Sequence, residues 1–197
     1  MNSRIQSAAV FLDRDGVINE EVNWLHRVDQ LRLIPGSAGA IRRLNENHVL
    51  AIVVTNQSVI GQGLCTEEEL QAIHGALRKM LEEGGAHLDA IYYCPHHEDA
   101  AVENYRRACP DRKPNIGMLL KAAEDFQLDL RRCFLVGDKT TDILTARNAG
   151  SQSILVKSGY GGSDGTRQAT PDFVCSDLAE AVEVVIRRFQ ESRIAGG

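Results

Sequence analysis

Short apolar runs alternate with amphipathic stretches along the chain. Ala8–Leu12 carries no polar residue and predicts a strand buried on both faces. Val49–Val54 is rich in β-branched residues and predicts a second strand. Leu88–Tyr93, Cys133–Val136 and Ser153–Val156 predict three more. Helical spacing falls between them, at Ser37–Asn47, Asn115–Phe126, Thr141–Asn148 and Asp177–Gln190. Thr66 precedes Glu67, Glu68 and Glu69, an N-cap with an acidic first turn. The helix it opens is expected to end at Gly84-Gly85. Strand and helix in alternation predict an α/β fold, a Rossmann-like parallel sheet with helices on both faces. The whole of residues 1–197 is expected to be one domain. Residues 14–35 and 95–114 are long irregular stretches, and such loops usually carry function. Residues 159–165 are expected to be a mobile loop and residues 194–197 a frayed tail.

Composition narrows the class. The 197 residues are 43% hydrophobic and 25% charged, with a net charge of −5. Lys and Arg are dispersed, which argues against non-specific nucleic-acid binding. No run approaches the roughly 18 apolar residues of a membrane helix, and the first eight residues do not look like a signal peptide. A cytoplasmic monomer is expected. Five cysteines, an odd number in a long chain, argue against a disulfide framework.

In parallel sheets, ligands bind beyond the C-terminal strand ends. The first strand runs into Asp13-Arg14-Asp15-Gly16. Carboxylates at i and i+2 share a side of an extended chain, so one can attack while the other trades protons. Asp13 is the expected nucleophile and Asp15 the acid/base; a solvated turn would also show this pattern. The second strand runs into Thr55-Asn56-Gln57-Ser58, groups able to hold phosphate oxygens or simply to cap a turn. Arg112 and Lys113 precede Pro114 and a helix, and could grip a phosphoryl group or form an exposed basic pair. The fourth strand ends Gly137-Asp138-Lys139, with Asp142 one helical turn on. Carboxylates converging there call for a hard cation, and Mg²⁺ is the expected one. Asp142 could orient Asp138 or Lys139, or serve the helix dipole.

Taken in order, these motifs resemble the haloacid dehalogenase superfamily of phosphohydrolases. More narrowly, residues 11–19, 55–58, 91–97, 112–119 and 137–142 are similar to the D-glycero-D-manno-heptose 1,7-bisphosphate phosphatases. Histidinol-phosphate phosphatases share the same catalytic set and are the alternative. The resemblance implies a core without a large cap domain and a small phosphosugar substrate in heptose biosynthesis, supplying a glycan such as lipopolysaccharide. It implies Mg²⁺ on the Asp13 side chain, the Asp15 carbonyl and Asp138. It also implies contacts to the phosphosugar from Thr55, Asn56, Arg112, Lys113 and Lys139. Family members carry a structural zinc on a Cys-x-His, spacer, Cys-x-Cys pattern. Here the matching residues are Cys94, His96, Cys109 and Asp111, so Zn²⁺ is expected with Asp111 replacing a cysteine in the 94–114 loop. Residues 21–24 match the family's substrate loop loosely, and Trp24 could stack on a sugar face or pin its loop. His26, His48, His74 and His87 are expected at the surface or at helix ends. Cys65 precedes a helix start, which would lower its pKa.

Overall fold

The computed structural model describes residues 8–165 and 168–195. The first seven residues and Gly196-Gly197, part of the expected tail, lie outside them; Ile194 and Ala195 still belong to the last helix.

Among the described residues six parallel strands form one sheet: β1 Ala8–Leu12, β2 Val49–Asn56, β3 Ala90–Cys94, β4 Phe134–Gly137, β5 Gln152–Val156 and β6 Phe173–Cys175. The helices are α1 Ser37–Glu46, α2 Ser58–Gly61, α3 Glu67–Glu83, α4 Gly117–Phe126, α5 Thr140–Ala149 and α6 Leu178–Ala195. The strand order is β3-β2-β1-β4-β5-β6. Pleating sends successive side chains to opposite faces. Val10 and Leu12 of β1 therefore join one core with Ile41 of α1, Leu77 of α3 and Val182 of α6. Ala9 and Phe11 join the other with Met118 of α4 and Ala146 of α5. The predicted helices thus cover both faces.

The sixth strand and the one-turn α2 were not expected. Three residues after Pro171-Asp172 are too few to show a period, and β6 is held by its register against β5. At α3, Thr66 Oγ accepts from the Glu69 N–H at 3.1 Å while Glu69 returns a bond to the Thr66 N–H at 2.8 Å. This capping box is the predicted start.

The chain order reverses at β1, whose neighbours are β2 and β4. That switch point opens a crevice at the C-terminal ends of β1 and β4. Asp13 follows β1 and Asp138 follows β4, so the topology sets the two carboxylates side by side.

Candidate active site

Asp13 is anchored by its own N–H, which donates to the Val136 carbonyl at 2.9 Å. Its Oδ1 accepts from the Arg14 N–H at 2.8 Å and pairs with Lys113 Nζ at 3.0 Å. Lys113, expected as a phosphate-facing cation, is buried. Its ammonium meets Asp13, Asp142 Oδ1 at 2.6 Å and the Val54 carbonyl at 3.0 Å. Burial works against that charge, but Asp13 and Asp142 outweigh it and raise the Lys113 pKa. Asp142 also accepts from the Lys139 N–H at 3.1 Å, capping the start of α5, and its pairing with Lys113 is a role the sequence did not suggest.

Asp138 is fully buried. Its Oδ2 accepts from the Tyr160 N–H at 2.8 Å, and its Oδ1 has no hydrogen-bond partner among the described residues. Backbone closes around it: a Cβ added to Gly16 would meet Oδ2 at 2.3 Å, and one added to Gly159 at 2.1 Å. Ligand atoms of Asp13, Asp138 and Asp142 all lie within 4.8 Å of one another. Burial, then Asp13, then Asp142, push the Asp138 pKa up to about 7. Lys139 lies beside this group, bonded to Glu21 Oε2 at 2.8 Å and 4.8 Å from the Tyr160 ring centre. Burial opposes its charge, yet Asp13, Asp138 and Glu21 raise its pKa. Three carboxylates against two ammoniums leave an excess of negative charge. An all-oxygen set with an unpartnered Asp138 oxygen fits a hard divalent cation such as Mg²⁺.

This carries a pH consequence. An Asp138 pKa raised from 3.8 to about 7 means that the folded protein holds a proton the unfolded chain has lost. Stability of the metal-free protein therefore falls as pH rises through that window. Asp142, raised by burial first to about 6, acts in the same direction. The metal-free melting temperature is expected to drop between about pH 4 and about pH 7, the span from the unfolded to the folded pKa values, and Mg²⁺ is expected to restore more of it at the higher pH. A scanning-fluorimetry pH series with and without Mg²⁺ checks this; a flat metal-free curve would contradict it.

Asp15 is held from several sides. Arg14 donates to Oδ1 from Nε at 3.1 Å and from Nη2 at 2.9 Å, and Nη2 also reaches Oδ2 at 2.9 Å. Asn19 Nδ2 adds a bond at 2.8 Å and Gln57 Nε2 one at 3.0 Å. Burial alone would raise the Asp15 pKa, but Arg14 with Asn19 and Gln57 brings it below the ordinary value. Gln57 is thus spent on Asp15 and on Thr55 Oγ at 2.8 Å. Asn56 closes on the Lys113 backbone, accepting at 3.0 Å and donating at 3.2 Å, and so positions Lys113. Arg112 Nη1 donates to Ser58 Oγ and to the His96 carbonyl, each at 2.9 Å. Arg14, Asn19 and His74 were missed in the sequence. His74 is buried on α3, not at the surface, and burial, then Arg14, lower its pKa to about 3. Cys65 also differs from expectation: burial, then Glu69, raise its pKa despite the nearby helix start.

Cys94, His96 and Cys109 come together with ligand atoms within 4.8 Å of one another, a soft donor set that fits zinc. Asp111, expected as the fourth ligand, is not in that group. Its carboxylate pairs with Lys121 of α4 at 2.5 Å. A ten-residue separation hid this pair from motif spacing.

A cleft of about 480 Å³ lies next to Asp138, lined by Glu20, Glu21, Asn23, Ser158, Gly159 and Tyr160. Tyr160 Oη donates to Asn23 Oδ1 at 2.8 Å, so the loop once expected to be mobile is tied to the 20–24 loop. Trp24 is solvent-exposed on that loop.

A parallel sheet with a switch point and these polar strand ends defines a haloacid dehalogenase-like hydrolase. Residues 111–181 match the family model described as "HAD-hyrolase-like". The D-glycero-D-manno-heptose-1,7-bisphosphate 7-phosphatase of Thermosynechococcus vestitus is 46% identical over 183 residues, covering 89% of this chain and 93% of that protein. The D-glycero-beta-D-manno-heptose-1,7-bisphosphate 7-phosphatase of Escherichia coli K12 is 36% identical, covering 90% and 93%. Among solved structures, the D,D-heptose 1,7-bisphosphate phosphatase of B. bronchiseptica, complexed with magnesium and phosphate, superposes with a TM-score of 0.80. It is 33% identical and covers 92% of this chain and 99% of that one. The chain belongs to the D-glycero-D-manno-heptose-1,7-bisphosphate 7-phosphatase family.

Proposed function

We propose that this chain removes the 7-phosphate of D-glycero-D-manno-heptose 1,7-bisphosphate through an aspartyl-phosphate on Asp13. The observation that carries the mechanism is the buried Lys113–Asp13 pair beside the unpartnered oxygen of Asp138. Asp13 Oδ attacks phosphorus and the bond from phosphorus to the sugar oxygen breaks. Asp15 gives that oxygen a proton. Water then attacks phosphorus, Asp15 takes its proton, and the Asp13 carboxylate is released with inorganic phosphate. Lys113 holds Asp13 in place and balances its charge, while Lys139, Thr55 and backbone N–H groups face the phosphoryl oxygens. The Asp13 side chain, the Asp15 carbonyl and Asp138 would hold Mg²⁺, which supplies positive charge to the phosphoryl oxygens when bound. The polar cleft along Glu20, Glu21, Asn23 and Tyr160 suits a polyhydroxylated leaving group. The enzyme would act as a cytoplasmic monomer.

Substrate is tested by kcat/KM for phosphate release from both anomers of the bisphosphate and from histidinol phosphate, with Mg²⁺ present. A preference of about a hundredfold, or about 2.7 kcal/mol in the transition state, is expected for a bisphosphate anomer. Comparable turnover of histidinol phosphate would overturn the substrate and keep the chemistry.

Cys94, His96 and Cys109 would hold a structural zinc that orders the loop presenting Arg112 and Lys113. Chelation of zinc, with Mg²⁺ restored, is expected to lower the melting temperature and weaken substrate binding before it lowers kcat. Complete loss of kcat with an unchanged melting curve would contradict a structural role.

A further inference from the structure

Arg14 is fully buried and carries a charge that the chemistry above does not use. A buried guanidinium without a counter-charge costs several kcal/mol, so its partners matter. They are Asp15, gripped through Nε and Nη2, and His74, whose Nε2 faces Nη1 at 3.3 Å. His74 is neutral, since burial and Arg14 hold its pKa at about 3. Its Nε2 therefore accepts from Arg14, and its proton lies on Nδ1. Tyr93 packs edge-on against the His74 ring, with centres 5.7 Å apart. This stack fixes the direction from which Arg14 is held.

On Asp15, Oδ1 accepts from Arg14 and Asn19, and Oδ2 from Arg14 and Gln57. A carboxylate occupied on both oxygens by donors cannot at the same time give a proton to a leaving oxygen. The Asp15 side chain is 16% exposed while that of Arg14 is 0% exposed, so of the two it is Asp15 that reaches solvent.

We propose that Arg14, braced by His74, aims Asp15 in both steps: Asp15 takes a proton from solvent and gives it to the leaving oxygen, and then, held by Arg14 as the carboxylate, takes the proton of the attacking water. Arg14 and His74 are then positioning residues. This inference rests on the phosphatase mechanism above. It assigns a purpose to the Arg between the two aspartates and to a buried histidine on α3.

The test separates the two chemical steps with p-nitrophenyl phosphate, whose leaving group needs little help from an acid. Rapid-mixing kinetics with Mg²⁺ report the first turnover, as a burst of nitrophenol, and the steady state. Arg14→Met and His74→Phe are expected to keep the burst rate within about threefold of the wild type while steady-state turnover falls about tenfold or more, because the second step still needs Asp15 to activate water. On an alkyl phosphate, where the leaving oxygen needs a proton, the first turnover should fall as well. His74→Gln keeps an acceptor for Arg14 and is expected to restore steady-state turnover to within about twofold of the wild type. A role confined to packing would lower burst and steady state together, or leave His74→Gln no better than His74→Phe; either result overturns the proposal. If Arg14→Met does not fold, the two His74 variants decide alone. A wild-type enzyme that releases no nitrophenol, or does so equally well as Asp13→Asn, would overturn the phosphatase mechanism itself and this inference with it.

Discussion

Asp13→Asn is expected to lower phosphate release by about 10⁴-fold or more while the protein stays folded. Asn is nearly isosteric with Asp, and its Oδ1 can still accept from the Arg14 N–H and from Lys113, the two contacts made at 2.8 and 3.0 Å. What it lacks is a nucleophilic carboxylate. Its neutrality also removes one of the charges that raise the Asp138 and Asp142 pKa values. Metal-free Asp13→Asn should therefore melt no lower than the wild type at neutral pH. Phosphate release and a circular-dichroism melt check both halves. Activity within about tenfold of wild type would rule out covalent catalysis by Asp13.

The second large effect is on stability. Lys113→Met removes a buried cation whose three acceptors are Asp13, Asp142 and the Val54 carbonyl. The ion pair itself contributes little net energy after desolvation, but removing one partner strands the other two charges in the interior. The expected cost is about 3–5 kcal/mol at neutral pH, together with a turnover loss of about a hundredfold or more. The sign of its pH dependence follows from Asp142, whose pKa is about 6 even with Lys113 beside it. Without Lys113 it moves higher still, so the folded variant binds a proton that the unfolded chain does not. Lys113→Met should regain stability as pH falls towards about 5 and lose it as pH rises. Urea melts at two pH values measure this; a variant as stable as wild type at neutral pH would show that Lys113 is not the counter-charge of this cluster.

Asp13, Asp15 and Asp138 were legible because they sit just past buried strands, where local sequence and sheet topology agree on direction. Lys113 was legible as a cation but not as a buried one. The loop that carries it is brought under β2 by Asn56, 57 residues away, and no local pattern records that contact. Arg14, between the two acids, drew no reading from the sequence. Only the closure of α3 over it makes it fully buried. A signal for His74 was present: Leu70, Ile73, Leu77 and Leu81 mark the inward face of α3, and His74 falls on that face. Asp111 shows the converse. Its spacing from Cys109 suits a ligand, but the α4 residue Lys121 engages its carboxylate. Spacing within a loop shows which residues can meet, and a partner from another element decides which do.

The central claim is a covalent phosphoryl group on Asp13. The most direct measurement is rapid acid quench of the enzyme with substrate and Mg²⁺, followed by mass spectrometry of the peptide that carries Asp13. A phosphoryl mass increment on Asp13 that forms and decays within a single turnover, and is absent in Asp13→Asn, is the expected result. Product release with no phosphorylated Asp13 at any quench time, or the increment on another residue, would contradict the account.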